Sequence, residues 1–223
     1  MKRHLRGEYW VTGTDTGVGK TFAACALLHA AHARGLTTLA MKPVAAGMDA
    51  DGHNEDVEQL IDASSVKAPR HLVNPWGFTE AIAPHIAAAH ERRPIDPGTI
   101  LDAYRQLAPM ADFVLVEGVG GFRVPLAEGF DTADLAVALG LPVILVVGLR
   151  LGCLNHALLT AEAIRARGLA LAGWIGNRID PDMRHWQENI AALRQGLAAP
   201  LLGVIPWRDD SEQIAASFAL SLP

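Results

Sequence analysis

Cysteine is scarce in this chain: only Cys25 and Cys153 occur in 223 residues. Two thiols cannot build a disulfide framework, and neither has a second Cys at metal-ligand spacing. Both read as reduced, buried, small apolar residues. Positive charge is also short, with 19 Lys and Arg against 24 Asp and Glu and a formal net charge of -5. The one basic cluster, Lys2, Arg3 and Arg6, is a short tip, so nothing here builds the field that a nucleic-acid partner needs. Long apolar runs are missing too. The densest, residues 142–147, is far shorter than the roughly 20 residues that cross a bilayer, and the N-terminus has no apolar signal core. The expectation is a cytoplasmic protein with no membrane partner. The nine histidines carry no zinc pattern: no H-x-x-x-H pair on one helix carries a third ligand, and His29 and His32 stand three apart. No internal repeat or low-complexity tract interrupts the chain. Half the residues are apolar, which suits one large α/β domain over residues 1–223 better than two small ones.

What the chain does have is Val11-Thr12-Gly13-Thr14-Asp15-Thr16-Gly17-Val18-Gly19-Lys20-Thr21. It follows a strand-like run, Glu8-Tyr9-Trp10-Val11-Thr12, and opens a predicted helix over residues 21–34 that Gly35 stops. Glycines that turn backbone N–H groups inward make a concave anion site, and the positive helix end aims at the same point. Lys20 would reach the outer phosphates and the Thr21 hydroxyl would hold Mg2+. Against the general pattern G-x-x-x-x-G-K-[ST] this loop is one residue long, with Thr14 where the first glycine belongs and Gly13 one position early.

Further strands are predicted at residues 37–41, 112–117, 142–148, 169–175 and 200–205, with helices between them. Runs such as Val143-Ile144-Leu145-Val146-Val147 are continuously apolar, as in strands covered on both faces. The fold expected is a doubly wound, mainly parallel α/β sheet of the P-loop nucleoside triphosphate hydrolase type. Residues 45–97, rich in Pro and His, break that rhythm and read as an irregular insertion lining the site.

Each loop at the carboxyl ends of those strands begins with a chemically pointed residue. Lys42 follows residues 38–41 and reads either as a point charge for an anion or as a solvated strand-terminal lysine. Glu117 ends an apolar run and precedes Gly118-Val119-Gly120-Gly121, where an acid would sit beside Mg2+ and glycines would let the backbone approach a nucleotide. Asp56, on a predicted helix over residues 54–63, is by itself a solvated face residue. Asn177 pairs a donor with an acceptor, matching the adenine edge, or else is a turn residue. Leu151-Gly152-Cys153-Leu154-Asn155-His156 opens a helix without an acidic cap, which leaves N–H donors for a carboxylate.

Along nearly its whole length the chain resembles the dethiobiotin synthetase family. The resemblance is carried by the loop through Thr21, then Lys42-Pro43-Val44-Ala45, Asn74-Pro75, Pro84-His85-Ile86, Val114-Leu115-Val116-Glu117-Gly118, the Leu151 to Ala157 motif, Leu171-Ala172-Gly173-Trp174, Pro200-Leu201-Leu202-Gly203 and Ile205-Pro206-Trp207. The longer loop is that family's own form. The resemblance implies an ATP- and Mg2+-dependent carbon–nitrogen ligase of biotin biosynthesis. It would close the ureido ring from 7,8-diaminopelargonic acid and CO2 by way of a carbamate and a carbamic-phosphoric anhydride. It implies Lys42, Lys20 and Thr16 as catalytic groups, and phosphate contacts from Gly17, Val18, Gly19, Lys20 and Thr21. Mg2+ would be held by Thr21, Asp56 and Glu117, with Glu117, Gly118, Val119 and Gly120 lining nucleotide and substrate. Asn177 and Arg178, with Pro206, Trp207, Arg208 and Glu212, would surround adenine. The family is a homodimer, which places the substrate carboxylate on Gly152, Cys153, Leu154 and Asn155 of the other subunit.

Two positions depart from the family pattern: Gly17 stands where Glu is common and Ala46 where a Ser contacts substrate. One lost hydrogen bond costs on the order of 1 kcal/mol, about a factor of five in binding, which tunes an enzyme without abolishing it. Two rival readings share the fold. A partition-type or cobalamin-type ATPase often carries a signature lysine where this chain has Asp15, and a nucleotide-binding regulator would have lost turnover through Gly17 and Ala46.

Overall fold

The computed structural model describes residues 7–207. In chain order the strands are β1 (Gly7–Gly13), β2 (Thr38–Met41), β3 (Val44–Ala46), β4 (Trp76–Phe78), β5 (Phe113–Gly121), β6 (Pro125–Ala127), β7 (Phe130–Asp131), β8 (Val143–Gly148), β9 (Leu171–Asn177) and β10 (Leu201–Ile205). The helices are α1 (Lys20–His32), α2 (Glu55–Ala63), α3 (Arg70–Val73), α4 (Pro84–His90), α5 (Pro97–Leu107), α6 (Thr132–Leu139), α7 (Cys153–Ala166) and α8 (Trp186–Gly196). Six strands form one sheet in the order β10-β9-β8-β1-β5-β2, and every pairing in it is parallel. This is the α/β fold that the apolar runs announce. Alternate residues of each inner strand enter different clusters: Tyr9 and Val11 pack with α1, whereas Trp10 packs with Ile100 and Leu107 of α5. Both faces are therefore covered, and β8 is buried along its whole length.

α1 is able to sit deep in the molecule because its inward positions are small: Ala23, Ala24, Ala26, Ala30 and Ala31 are all buried. It is capped by Gly19 at φ 81° with no side-chain hydrogen bond and no acid in its first turn, so its leading N–H groups stay free for an anion. Its end is a glycine stop, with Gly35 at φ +85° donating to the His32 carbonyl at 2.8 Å. Cys25 lies on this helix with its thiol 3.5 Å from the Gln59 carbonyl. Burial, reinforced by the nearby Glu117 and Asp56 charges, pushes that thiol up to about 12, and burial also raises Cys153. A thiolate is the nucleophile in disulfide exchange. In a native thiol titration with an aromatic disulfide at pH 8 both cysteines should therefore stay unreacted, and both should react once the chain is denatured. Rapid native labelling of Cys25 would contradict the packing of α1.

One expectation is corrected. Glu117 does not end its strand, since β5 runs on to Gly121. The reason is the neighbour: β1 continues to Gly13, which pairs with Gly121 after a register irregularity between Val11 and Gly13. A backbone ladder extends as long as its partner does, whatever the side chains. Residues 45–97 hold β4, α2, α3 and α4, and β3 pairs with β4 in a separate two-stranded parallel unit.

Candidate active site

β1, β2 and β5 end or pass at one edge of the sheet, and the side chains leaving them converge on a cavity of about 720 Å³. Thr16, Gly17, Gly19, Lys20 and Thr21 line it from the loop and α1, Lys42 from the end of β2, Asp56 from α2, and Val119 and Gly120 from β5. At its floor lies an ion cluster. Lys42 Nζ donates to Glu117 Oε1 at 2.5 Å and to Asp56 Oδ2 at 2.8 Å, and the Thr21 hydroxyl donates to the same Glu117 oxygen at 2.8 Å. Glu117 is fully buried and Lys42 nearly so, whereas Asp56 is half-exposed.

Burial by itself would lower the Lys42 pKa, but the Glu117 and Asp56 carboxylates outweigh it and hold the ammonium above the ordinary lysine value. Burial would raise Asp56, and Lys42 overrides it, so that carboxyl sits below its ordinary value. Lys20 differs. It is buried with its Nζ 3.3 Å from the Asp15 carbonyl and no ion pair among the described residues, and burial lowers its pKa. The two lysines are thus differently prepared: Lys42 is neutralised by acids, and Lys20 is an under-compensated cation facing the phosphate loop. Glu117 Oε2 is buried with no hydrogen-bond partner among the described residues.

Glu117 is fixed by the sheet, Lys42 by its position directly after β2, and Asp56 by the cap of α2. Asn54, the N-cap, accepts from Val57 N–H at 3.3 Å and donates to the Ala46 and Gly47 carbonyls at 3.1 and 3.2 Å. It therefore ties the Ala46 segment to the helix that carries Asp56. Reading the residues alone missed Asn54 as part of the site, although an Asn directly before a helix is a recognisable cap.

A second depression of about 270 Å³ lies next to the first, with Phe22 on both rims. Asn177, Arg178, Pro206 and Trp207 line it. Asn177 is buried and gives one amide proton to the Val18 carbonyl at 2.9 Å, so it braces the glycine loop as well as facing the depression. Arg178 lies 4.8 Å over the Trp186 ring.

A model of a family described as an AAA domain matches residues 8–215. The chain is 57% identical over 217 residues to an ATP-dependent dethiobiotin synthetase BioD of Aromatoleum aromaticum, covering 95% of this chain and 96% of that one. The chain belongs to the dethiobiotin synthetase family. A second dethiobiotin synthetase, from Nitrosospira multiformis, is 54% identical over 199 residues, with 89% and 88% of the two chains covered. Among solved structures, a ParA family ATPase of Chlorobium tepidum superposes with a TM-score of 0.55 at 14% identity, over 95% of this chain and 88% of that one. The MinD cell division protein of Aquifex aeolicus gives 0.53 at 16% identity, over 93% and 86%. At such identities the likeness of this dethiobiotin synthetase family member to these two shows the fold alone.

For a dethiobiotin synthetase chain the remaining expected residues fall in three places. Gly118 faces away from the cavity, where an added Cβ would lie 2.7 Å from the Trp10 ring, and Val18 is buried in the core beside α1. Gly152, Cys153, Leu154 and Asn155 open α7 and do not line the cavity of their own chain. Their link to it is Arg150, which pairs at 2.5 Å with Asp15 in the glycine loop. Arg208 and Glu212 lie outside the described residues.

Proposed function

We propose that this chain uses ATP to close the ureido ring of dethiobiotin from 7,8-diaminopelargonic acid and CO2, releasing ADP and phosphate. The observation that carries this reading beyond family membership is the Lys42 ammonium held between Glu117 and Asp56 on the floor of the cavity that also exposes Lys20. One amine takes up CO2 and loses a proton, leaving a carbamate. A carbamate oxygen attacks the γ-phosphorus and ADP departs. The second amine attacks the carbonyl carbon of the mixed anhydride, phosphate departs with the C–O bond electrons, and the ring closes with loss of a proton.

Such a sequence needs alignment and charge neutralisation more than covalent help from the protein. Lys20, with the loop N–H groups of residues 17–21, holds the β- and γ-phosphates. Thr16 and Gly120 are neighbours in the cavity lining, since a Cβ at Gly120 would lie 3.5 Å from the Thr16 hydroxyl, and the γ-phosphate would lie against them. Lys42 neutralises the carbamate and the incoming phosphoryl oxygens. Mg2+ fits the residues present: the Thr21 hydroxyl, Asp56 and Glu117 are hard oxygen donors, and buried Glu117 Oε2 lacks a partner among the described residues. Bound there, it would neutralise charge on the β- and γ-phosphate oxygens. Asn177, Arg178, Pro206 and Trp207 form the adenine wall. The active unit is a homodimer in which the α7 start of the partner takes the substrate carboxylate. Exposed Leu151, Leu158 and Leu159 beside that helix start support the interface.

A direct assay tests the reaction. Protein, ATP, Mg2+ and bicarbonate should release ADP only when the diamine is added. Diamine-independent ADP release would overturn ring closure in favour of a simple ATPase.

A further inference from the structure

β2 leaves the sheet at Met41, whose ladder partner is Val116. Lys42 is thus the first residue after the strand, and its backbone has no neighbour in the sheet. It is clamped instead from outside. The Lys42 N–H donates to the Val73 carbonyl at 2.8 Å, and the Lys42 carbonyl accepts from Asn74 Nδ2 at 2.7 Å. The same Nδ2 also donates to the Trp76 carbonyl at 3.2 Å, and Trp76 N–H reaches the Pro43 carbonyl at 3.1 Å. Asn74 is nine-tenths buried, and its own N–H is held by Arg70 at 2.7 Å. Both amide protons therefore have fixed acceptors, one of them the residue that carries the site's central ammonium.

We propose that Asn74 is a positioning residue for Lys42: its carboxamide sets the backbone of Lys42 and thereby places Nζ between Glu117 and Asp56. The inference rests on Lys42 acting on the reacting groups. Few other residue types could replace Asn74. Asp would turn an acceptor toward two carbonyls, and Ala or Ser is too short to span them. Pro43 has no N–H to donate, and a proline there disfavours a helical backbone at Lys42. The geometry that depends on the clamp is strict, because displacing a reacting group by about 1 Å can cost on the order of a hundredfold in rate.

The test uses the full chain with Asn74→Ala, Asn74→Ser and Lys42→Ala, and the double variant Lys42→Ala/Asn74→Ala. Turnover is measured at saturating substrates, with KM for ATP and ADP affinity by calorimetry. Asn74→Ala and Asn74→Ser should lower kcat about 10- to 100-fold. KM for ATP and ADP affinity should stay within about twofold, because the phosphate loop is on another element. In the Lys42→Ala background the Asn74 change should cost less than about twofold more, as two changes acting through one group do not add. Unchanged kcat in either Asn74 variant, an equal loss in both Lys42 backgrounds, or failure of both variants to fold would overturn the positioning role. If Lys42→Ala itself turns over normally, the reading of Lys42 falls, which is a different outcome from Asn74 failing alone.

Discussion

Lys42→Ala is expected to abolish most turnover while nucleotide still binds. Removing one group that neutralises charge developing in the transition state typically costs about 100- to 1,000-fold. ADP affinity should stay within about fivefold, the equivalent of roughly 1 kcal/mol, because the phosphate cradle is built by α1 and the loop before it. The same change leaves fully buried Glu117 without the ammonium now 2.5 Å from it. Leaving a buried charge uncompensated costs about 3 kcal/mol at the low end of measured cases. For a chain of this size that is a fall in Tm of about 6–12 °C. Asp56 adds a pH signature. Its folded pKa lies below the ordinary carboxylate value because of Lys42, so its contribution is complete above the unfolded value near 3.9 and disappears as pH falls through the folded one. The stability that Lys42→Ala loses through Asp56 should accordingly be full at neutral pH and vanish as pH falls through the folded Asp56 pKa, so the gap in Tm between parent and variant should narrow in acid. Equal loss of ADP binding and turnover would remove Lys42 from chemistry and make it a residue of the nucleotide site.

Gly19→Ala should be the most damaging small change in the loop. Gly19 has φ +81°, and a Cβ there would lie 2.2 Å from Asn177 Nδ2, the atom that braces Val18. The left-handed backbone costs an Ala about 1–2 kcal/mol, and losing the Asn177 bond about 1 kcal/mol more. Gly17→Ala is the natural comparison. Its φ is +72°, yet its Cβ would meet nothing within 4 Å, so only the backbone term applies. Calorimetry with ADP should find Gly19→Ala weaker than Gly17→Ala by about tenfold or more, since the first moves the cradle and the second does not. Equal affinities would mean that the Asn177 brace does not shape the phosphate site.

Space is open beside Gly17, where the family resemblance leads one to expect Glu. A larger side chain has room at this rim, but at φ +72° its backbone is strained whatever the space. Ala46 is different. Asn54 holds its carbonyl, so the backbone position that a Ser would occupy persists without the hydroxyl.

Much of the site was legible along the chain because each part has a local cause. The glycine loop and the apolar strands depend on residues within a few positions of one another, and periodicity exposes them; the Asn54 cap is equally local but went unread. Lys42 could be placed at the end of β2 for the same reason. Its meaning could not be read there, because a lysine after a strand is as easily a solvated one.

Two assignments failed to be local. Glu117 looked like a strand terminus, but β5 continues because β1 stays alongside to Gly13. Asn74 stood out only as part of the Asn74-Pro75 segment, and only folding brings its carboxamide to Lys42, 32 positions earlier. The linear order of residues thus settled the fold class, the phosphate loop and the identity of the charged groups. Tertiary packing alone decided which charges meet: the Lys42 to Glu117 contact spans 75 positions and Thr21 to Glu117 spans 96. Side-chain periodicity carries no record of such distances, whereas a parallel sheet sets them by which strands it makes neighbours.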